Sequence, residues 1–171
     1  MRMESCGIEG VSILELDEFC DRRGSFFELF RREWLPEVFR DRFQVNCSRS
    51  AAGVLRGMHY HREQWDLWVP VEGRMRTGLA DLREGSSTHG TSLALPMGGG
   101  RPGGLLIPPG VAHGFAAITE VTLIYVVNNY YDGTDEYGIA WDDPGLNIDW
   151  GVEDPVLSAR DRRNPPHEWK G

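Results

Sequence analysis

Four side chains in this sequence have the types and spacing to do chemistry together. His59 and His61 stand two apart in Met58-His59-Tyr60-His61, Asp66 follows shortly after, and His113 lies far downstream after Pro108-Pro109-Gly110. Residues two apart on a β-strand face one side, so His59 and His61 can share an interior face, where Asp66 from the next strand and His113 from a distant one could join them. Two chemistries suit such a set. Imidazoles with a carboxylate bind a divalent metal such as Zn, Fe, Mn or Ni. Without a metal, one histidine can act as a general base tuned by a buried acid. A packed, hydrogen-bonded core with no chemistry is the third arrangement. It is less attractive, because three of the chain's five histidines would have to converge on one interior by accident.

The elements that must position these residues read as short strands. Runs rich in Val, Leu, Ile, Phe and Tyr (Val11–Leu16, Phe26–Phe30, Phe43–Cys47, Leu67–Val71, Met75–Leu82 and Val121–Asn128) are punctuated by 21 Gly and 10 Pro. That spacing belongs to an all-β sandwich or barrel. One segment, Glu33–Arg40, carries Trp34, Val38 and Phe39 on a helical period and predicts a short helix, with Pro36 in its tolerant first turns. Pro96–Gly104 reads as a flexible hairpin loop, and the proline-containing tail after Trp150 as irregular structure or a short helix on the barrel.

With 171 residues and 40% hydrophobic content, the chain is expected to form one domain spanning residues 1–171. It shows neither a run of ~18 apolar residues nor a signal-peptide pattern at its N-terminus, so a soluble, cytoplasmic protein that does not engage membrane is expected. Cys6, Cys20 and Cys47 are too few and too scattered for a disulfide framework or a thiolate metal cluster. A formal net charge of -8 disfavours nucleic acid as a partner, while leaving room for an anionic small ligand where a few arginines converge.

The spacing of His59, His61, Asp66 and His113 also resembles the general cupin pattern. Beyond it, segments along nearly the whole chain resemble the dTDP-4-dehydrorhamnose 3,5-epimerase family of that superfamily: Asp21–Glu28 (DRRGSFFE), Gln44–Ser50 (QVNCSRS), Val54–Tyr60 (VLRGMHY), Asp81–Gly90 (DLREGSSTHG), Ile107–Phe115 (IPPGVAHGF), Tyr125–Tyr131 (YVVNNYY), Gly138–Pro144 (GIAWDDP) and Leu157–Asp161 (LSARD). The resemblance implies a cupin-type double-stranded β-helix, a jelly-roll barrel, with short N- and C-terminal helices. It also implies a cofactor-independent isomerase acting on a nucleoside-diphosphate 4-keto-6-deoxy sugar, and a homodimer that shares edge strands. Carried over by residue, it makes His59 the general base, Asp161 the acid that orients it and Tyr125 the general acid on the opposite face. Arg23, Arg56, Gln44 and Asn46 become ligand-binding positions, with the arginines near the diphosphate, and His113 and Tyr131 lie near the sugar. Aromatic walls from Phe26, Tyr60, Trp68, Phe115, Tyr131 and Trp141 would ring the pocket, as ligand sites require.

The chemistry fits that allocation. A hydrogen next to a ketone is acidic because the charge left behind spreads onto oxygen, and inversion needs removal from one face and return to the other. Two positions depart from the family pattern: Asp66 stands where a Lys is usual, and His61 where Gln is common. A carboxylate opposes an enolate rather than stabilising it. The same two changes complete the alternative metal set His59, His61, Asp66 and His113, in which a divalent metal could replace the missing positive charge. They also leave open epimerisation at a single carbon, a metal-dependent cupin enzyme of another kind, and a non-catalytic sugar-binding protein on the same barrel.

Overall fold

The β-branched and aromatic runs form thirteen strands in the computed structural model, which describes residues 1–168. The strands are β1 (Arg2–Ser5), β2 (Ser12–Glu15), β3 (Glu18–Asp21), β4 (Gly24–Phe27), β5 (Gln44–Ser50), β6 (Leu55–Tyr60) and β7 (Asp66–Glu72), followed by β8 (Arg74–Asp81), β9 (Ser92–Gly98), β10 (Gly103–Ile107), β11 (Val111–Ala117), β12 (Val121–Val127) and β13 (Tyr137–Gly138). One sheet has the order β1-β2-β10-β7-β12-β5, a second β13-β6-β11-β8-β9, and β3-β4 form a separate ribbon. From β5 to β12 the chain passes back and forth between the two large sheets, broken only by the β8-β9 pairing. This is the expected jelly-roll barrel.

Side-chain alternation explains why the central strands of both sheets are buried on both faces. Trp68, Leu105 and Leu123 of the first sheet meet Leu79, Val111 and Phe115 of the second in the central cluster. The intervening residues point outward and are covered in turn. Leu67, Val69, Leu106 and Val126 pack against Leu35 and Phe39, and Met58, Ala112 and Ala116 against Leu146 and Trp150. Each large aliphatic or aromatic side chain so buried contributes about 1.5–3 kcal/mol.

Two local expectations are corrected. The helices reduce to single 3-10 turns, Arg32–Trp34 and Asp161–Arg163. Leu35 leaves the helical region at φ -138, ψ 55, because the residue before a proline, here Pro36, clashes with the proline ring in α geometry. The amphipathic residues still find the core: Phe39 is fully buried, with Trp34 and Val38 packed beside it. The segment Pro96–Gly104 is not a hairpin loop, because β9 and β10 lie in different sheets and the chain crosses between them there. Gly98, Gly99 and Gly100 all take positive φ, between 80 and 86°, to make that crossing. Pro96 is tolerated because β9 is an edge strand. Among the described residues, no helix is long and apolar enough to cross a membrane.

Candidate active site

The inward faces of the two sheets leave a cavity of about 490 Å³ at one end of the barrel. From the first sheet it is lined by alternate residues of β5 (Gln44, Asn46, Ser48), of β7 (Asp66, Trp68) and of β12 (Leu123, Tyr125, Val127). The facing wall carries Arg56 and His59 from β6 and His113 and Phe115 from β11. Arg56 and His59 are three apart, which simple alternation forbids. The register supplies the reason: His113 pairs with His59 but Phe115 with Arg56, so β6 holds one extra residue at Gly57–Met58. The bulge needs glycine, since Gly57 has φ 139° and a Cβ there would stand 2.7 Å from the Gly114 Cα of β11. A wider cleft of about 600 Å³ along Glu37–Arg42 is lined mostly by charged surface side chains and gathers no comparable set.

His59 Nε2 lies 2.7 Å from Asp161 Oδ1, a contact across 102 residues of chain. Asp161 is 4% exposed and is set by the second 3-10 turn, where its backbone N–H donates to Ser158 Oγ. Burial alone would raise its pKa. The hydrogen bond and charge of His59, with further hydrogen bonds from Ser158 and the Gly57 backbone, outweigh that and lower it, so the carboxylate is charged near neutrality. In neutral His59, Nε2–H donates to Asp161 and Nδ1 carries the basic lone pair. Tyr125 is on the opposite sheet, with its pKa raised first by burial and then by the charge of Asp66. It therefore keeps its proton at neutral pH.

His61, Asp66 and His113 form a second group, in which one ligand atom from each lies within 4.8 Å of the others. His59 of the alternative metal set is outside this group, and its Nε2 is engaged by Asp161. His61 Nδ1 donates to the Asp135 carbonyl. His113 Nδ1 donates to the Val111 carbonyl at 3.0 Å, and burial holds this imidazole far below its ordinary pKa and hence neutral. Asp66 is 3% exposed, and its pKa is raised because burial outweighs the opposing pull of His61, Gln64 and Trp68.

Of the expected ligand-binding residues, Gln44, Asn46, Arg56, His113 and Tyr131 line this cavity. The Gln44 amide donates to Asn46 Oδ1 at 2.7 Å and its oxygen accepts the Tyr131 N–H, so the polar strip is mutually braced. Arg56 spends part of its fork on Ser50 Oγ and the Arg49 carbonyl. Arg23 and Phe26 are not brought to the cavity of their own chain. They sit on the β3-β4 ribbon, where the Arg23 side chain is 84% exposed and paired with Asp21, and Phe26 is 64% exposed. Of the expected aromatic ring, Trp68, Phe115 and Tyr131 line the cavity, whereas Tyr60 stacks on Tyr137 and Trp141 faces a separate, smaller hollow. The sequence reading missed Gln64, which bridges His61 and Asp66, and the Glu136–Arg160 ion pair at 2.5 Å on the cavity rim. No periodicity links residues 136 and 160: Arg160 lies inside the Leu157–Asp161 segment and Glu136 just before Gly138–Pro144, and neither carries a mark of their pairing.

A family profile for dTDP-4-dehydrorhamnose 3,5-epimerase matches residues 5–168. The spore coat polysaccharide biosynthesis protein SpsL of Bacillus subtilis is 41% identical over 151 residues, covering 85% of this chain and 98% of its own. The dTDP-4-dehydrorhamnose 3,5-epimerase of Shigella flexneri is 37% identical over 161 residues, covering 90% of this chain and 89% of its own. Among solved structures, NovW of Streptomyces spheroides, a 4-keto-6-deoxy sugar epimerase from the novobiocin biosynthetic gene cluster, superposes with a TM-score of 0.90. It is 33% identical and covers 97% of this chain and 87% of its own.

Proposed function

The chain belongs to the dTDP-4-dehydrorhamnose 3,5-epimerase family, and from that premise we propose how its own side chains invert carbon. The protein is an isomerase. It inverts one or both carbons flanking the C4 ketone of a nucleoside-diphosphate 4-keto-6-deoxy sugar, with deoxythymidine diphosphate as the proposed carrier. The whole chain acts as one catalytic domain.

The single observation that carries the mechanism is the His59–Asp161 pair at 2.7 Å on one wall, with Tyr125 on the other. His59 Nδ1 takes the proton from the carbon next to the ketone, and the imidazolium so formed is stabilised by the Asp161 carboxylate. The Tyr125 hydroxyl delivers a proton to the opposite face, and both groups return to their starting states by exchange with water. Base and acid are both side chains, so the proton transfers themselves call for no organic cofactor. The remaining fork of Arg56, with Gln44 and Asn46, holds the diphosphate sugar.

Arg23 and Phe26 join this reading through a homodimer. The exposed β3-β4 ribbon carries Phe19 (63% exposed) and Phe26 away from the core, and an unpaired ribbon with large apolar side chains suits pairing with a second copy. Such pairing would bring Arg23 and Phe26 to the partner's cavity. A reducing, cytoplasmic setting suits the free thiols, of which Cys20 and Cys47 are exposed.

The test follows solvent deuterium into a dTDP-4-keto-6-deoxy sugar by NMR. His59→Asn abolishes exchange at every carbon next to the ketone while nucleotide binding survives. Tyr125→Phe leaves exchange at one carbon at least but stops inversion there. Exchange that persists in the His59 variant would remove His59 from the role of base.

A further inference from the structure

We infer that His61, Asp66 and His113 form a divalent-cation site inside the catalytic cavity, supplying the positive charge that the wall opposite Arg56 lacks. This rests on the epimerase reading for its purpose, though not for its geometry.

Both imidazoles are locked in the tautomer a metal needs. His61 Nδ1–H is spent on the Asp135 carbonyl and His113 Nδ1–H on the Val111 carbonyl, so in each ring the lone pair is on Nε2. A ligating histidine characteristically gives its other N–H to such an acceptor. The third ligand is a carboxylate with almost no solvent to share its charge: among the described residues, Asp66 pairs with no Lys or Arg, and His61 Nε2 stands 3.7 Å from its Oδ2.

The lone pairs of His61 and Asp66 also converge on one point, and that point is marked. The Gln64 side-chain nitrogen lies 3.1 Å from His61 Nε2 and 3.2 Å from Asp66 Oδ2, donating one hydrogen to each. A neutral amide thus stands where two electron pairs meet, and a side-chain rotation would clear it. The backbone around it stays put, because Asp135 accepts the N–H groups of Arg62, Glu63 and Gln64 at 2.7 to 3.1 Å. The turn joining His61 to Asp66 is held by the same residue whose carbonyl orients the His61 ring.

Two imidazoles and one carboxylate on one side of an ion suit Zn, Co, Fe(II), Mn or Ni, and leave positions open toward the cavity. The charge arithmetic favours occupation. Asp66 alone puts a negative charge where an enolate would form, whereas a divalent ion with Asp66 is net positive. His59 is left free to act as base because Asp161 holds its Nε2.

The experiment reads binding without substrate. Protein stripped by a chelator and dialysed is titrated with Co(II) and Zn(II), following heat and, for Co(II), visible absorption. One ion per chain is expected, with at least 10-fold weaker binding in both Asp66→Asn and His61→Gln and unchanged binding in His59→Asn. Circular dichroism and melting of the two ligand variants show whether they remain folded. No stoichiometric binding by the wild type, undiminished binding by a folded Asp66→Asn, or loss of binding in a folded His59→Asn would each overturn the site. The epimerase reading fails separately, by the deuterium experiment alone. An enzyme that exchanges but binds no ion keeps the function and loses the site.

Discussion

Replacing Asp161 with Asn tests the base assignment most severely, because it leaves volume and hydrogen bonding nearly intact and removes only charge and tautomer control. At 2.7 Å from His59 Nε2, with an effective dielectric constant of ~20, a full ion pair is worth about 6 kcal/mol as a ceiling. The His59 side chain is 22% exposed, so solvent takes part of that. About 3–5 kcal/mol of imidazolium stabilisation remains, or a factor of ~10²–10⁴ in rate. The asparagine amide adds a second penalty when its nitrogen turns toward the ring: it then donates to Nε2, which places the ring hydrogen on Nδ1 and blocks the nitrogen that must accept the proton. The assay is the rate of solvent deuterium uptake next to the ketone at saturating substrate, with the substrate dissociation constant measured alongside. Turnover falls while binding changes little. A variant within ~3-fold of wild type would mean that Asp161 does not act through His59.

Two further predictions concern the frame around the site. Asp81 is fully buried and accepts the Arg83 fork together with Ser86 and Thr88 hydroxyls, and these outweigh burial and hold its carboxyl far below the usual range; Asp81→Asn therefore costs about 2–3 kcal/mol at pH 7, seen as a lower melting temperature. A depressed folded pKa stabilises above the unfolded value of ~3.9 and is lost as pH falls below it, so the gap from wild type narrows by pH 3, and equal melting at pH 7 would contradict the assignment. Light scattering at micromolar concentration gives twice the chain mass, Phe26→Asp on the ribbon shifts it toward one, and a monomeric wild type would refute the dimer.

What could be read from the sequence follows from where its signals are local. Period-two alternation places Gln44, Asn46 and Ser48 on one wall and Leu123, Tyr125 and Val127 on the same sheet, as found. It fails at Arg56 and His59, because a bulge depends on what the neighbouring strand does, here the close approach of Gly57 to Gly114. Asp161 carries no local mark of its partnership with His59; only the resemblance pointed to it. Trp34, Val38 and Phe39 announced a buried face correctly, yet Pro36 denied them the helix that their spacing suggested. Arg23 and Phe26 were legible as motif residues but not as residues that their own chain leaves outside its cavity.

The two departures from the family pattern make more sense together than apart. Asp66 by itself would be a buried carboxylate in an enolate-forming cavity, costly to bury and repulsive to the intermediate. His61 by itself would be a ring beside an amide, with no evident gain over the glutamine that the resemblance leads one to expect there. Joined, they share Gln64 as a common hydrogen-bond donor, and with His113 they put three electron pairs within 4.8 Å of one another. The neighbouring dyad is untouched by this, since Asp161 reaches His59 from the C-terminal segment rather than from β7. On the proposed reading the cavity separates into two parts: His59, Asp161 and Tyr125 to move protons, and His61, Asp66 and His113 to set the charge that the moving protons leave behind.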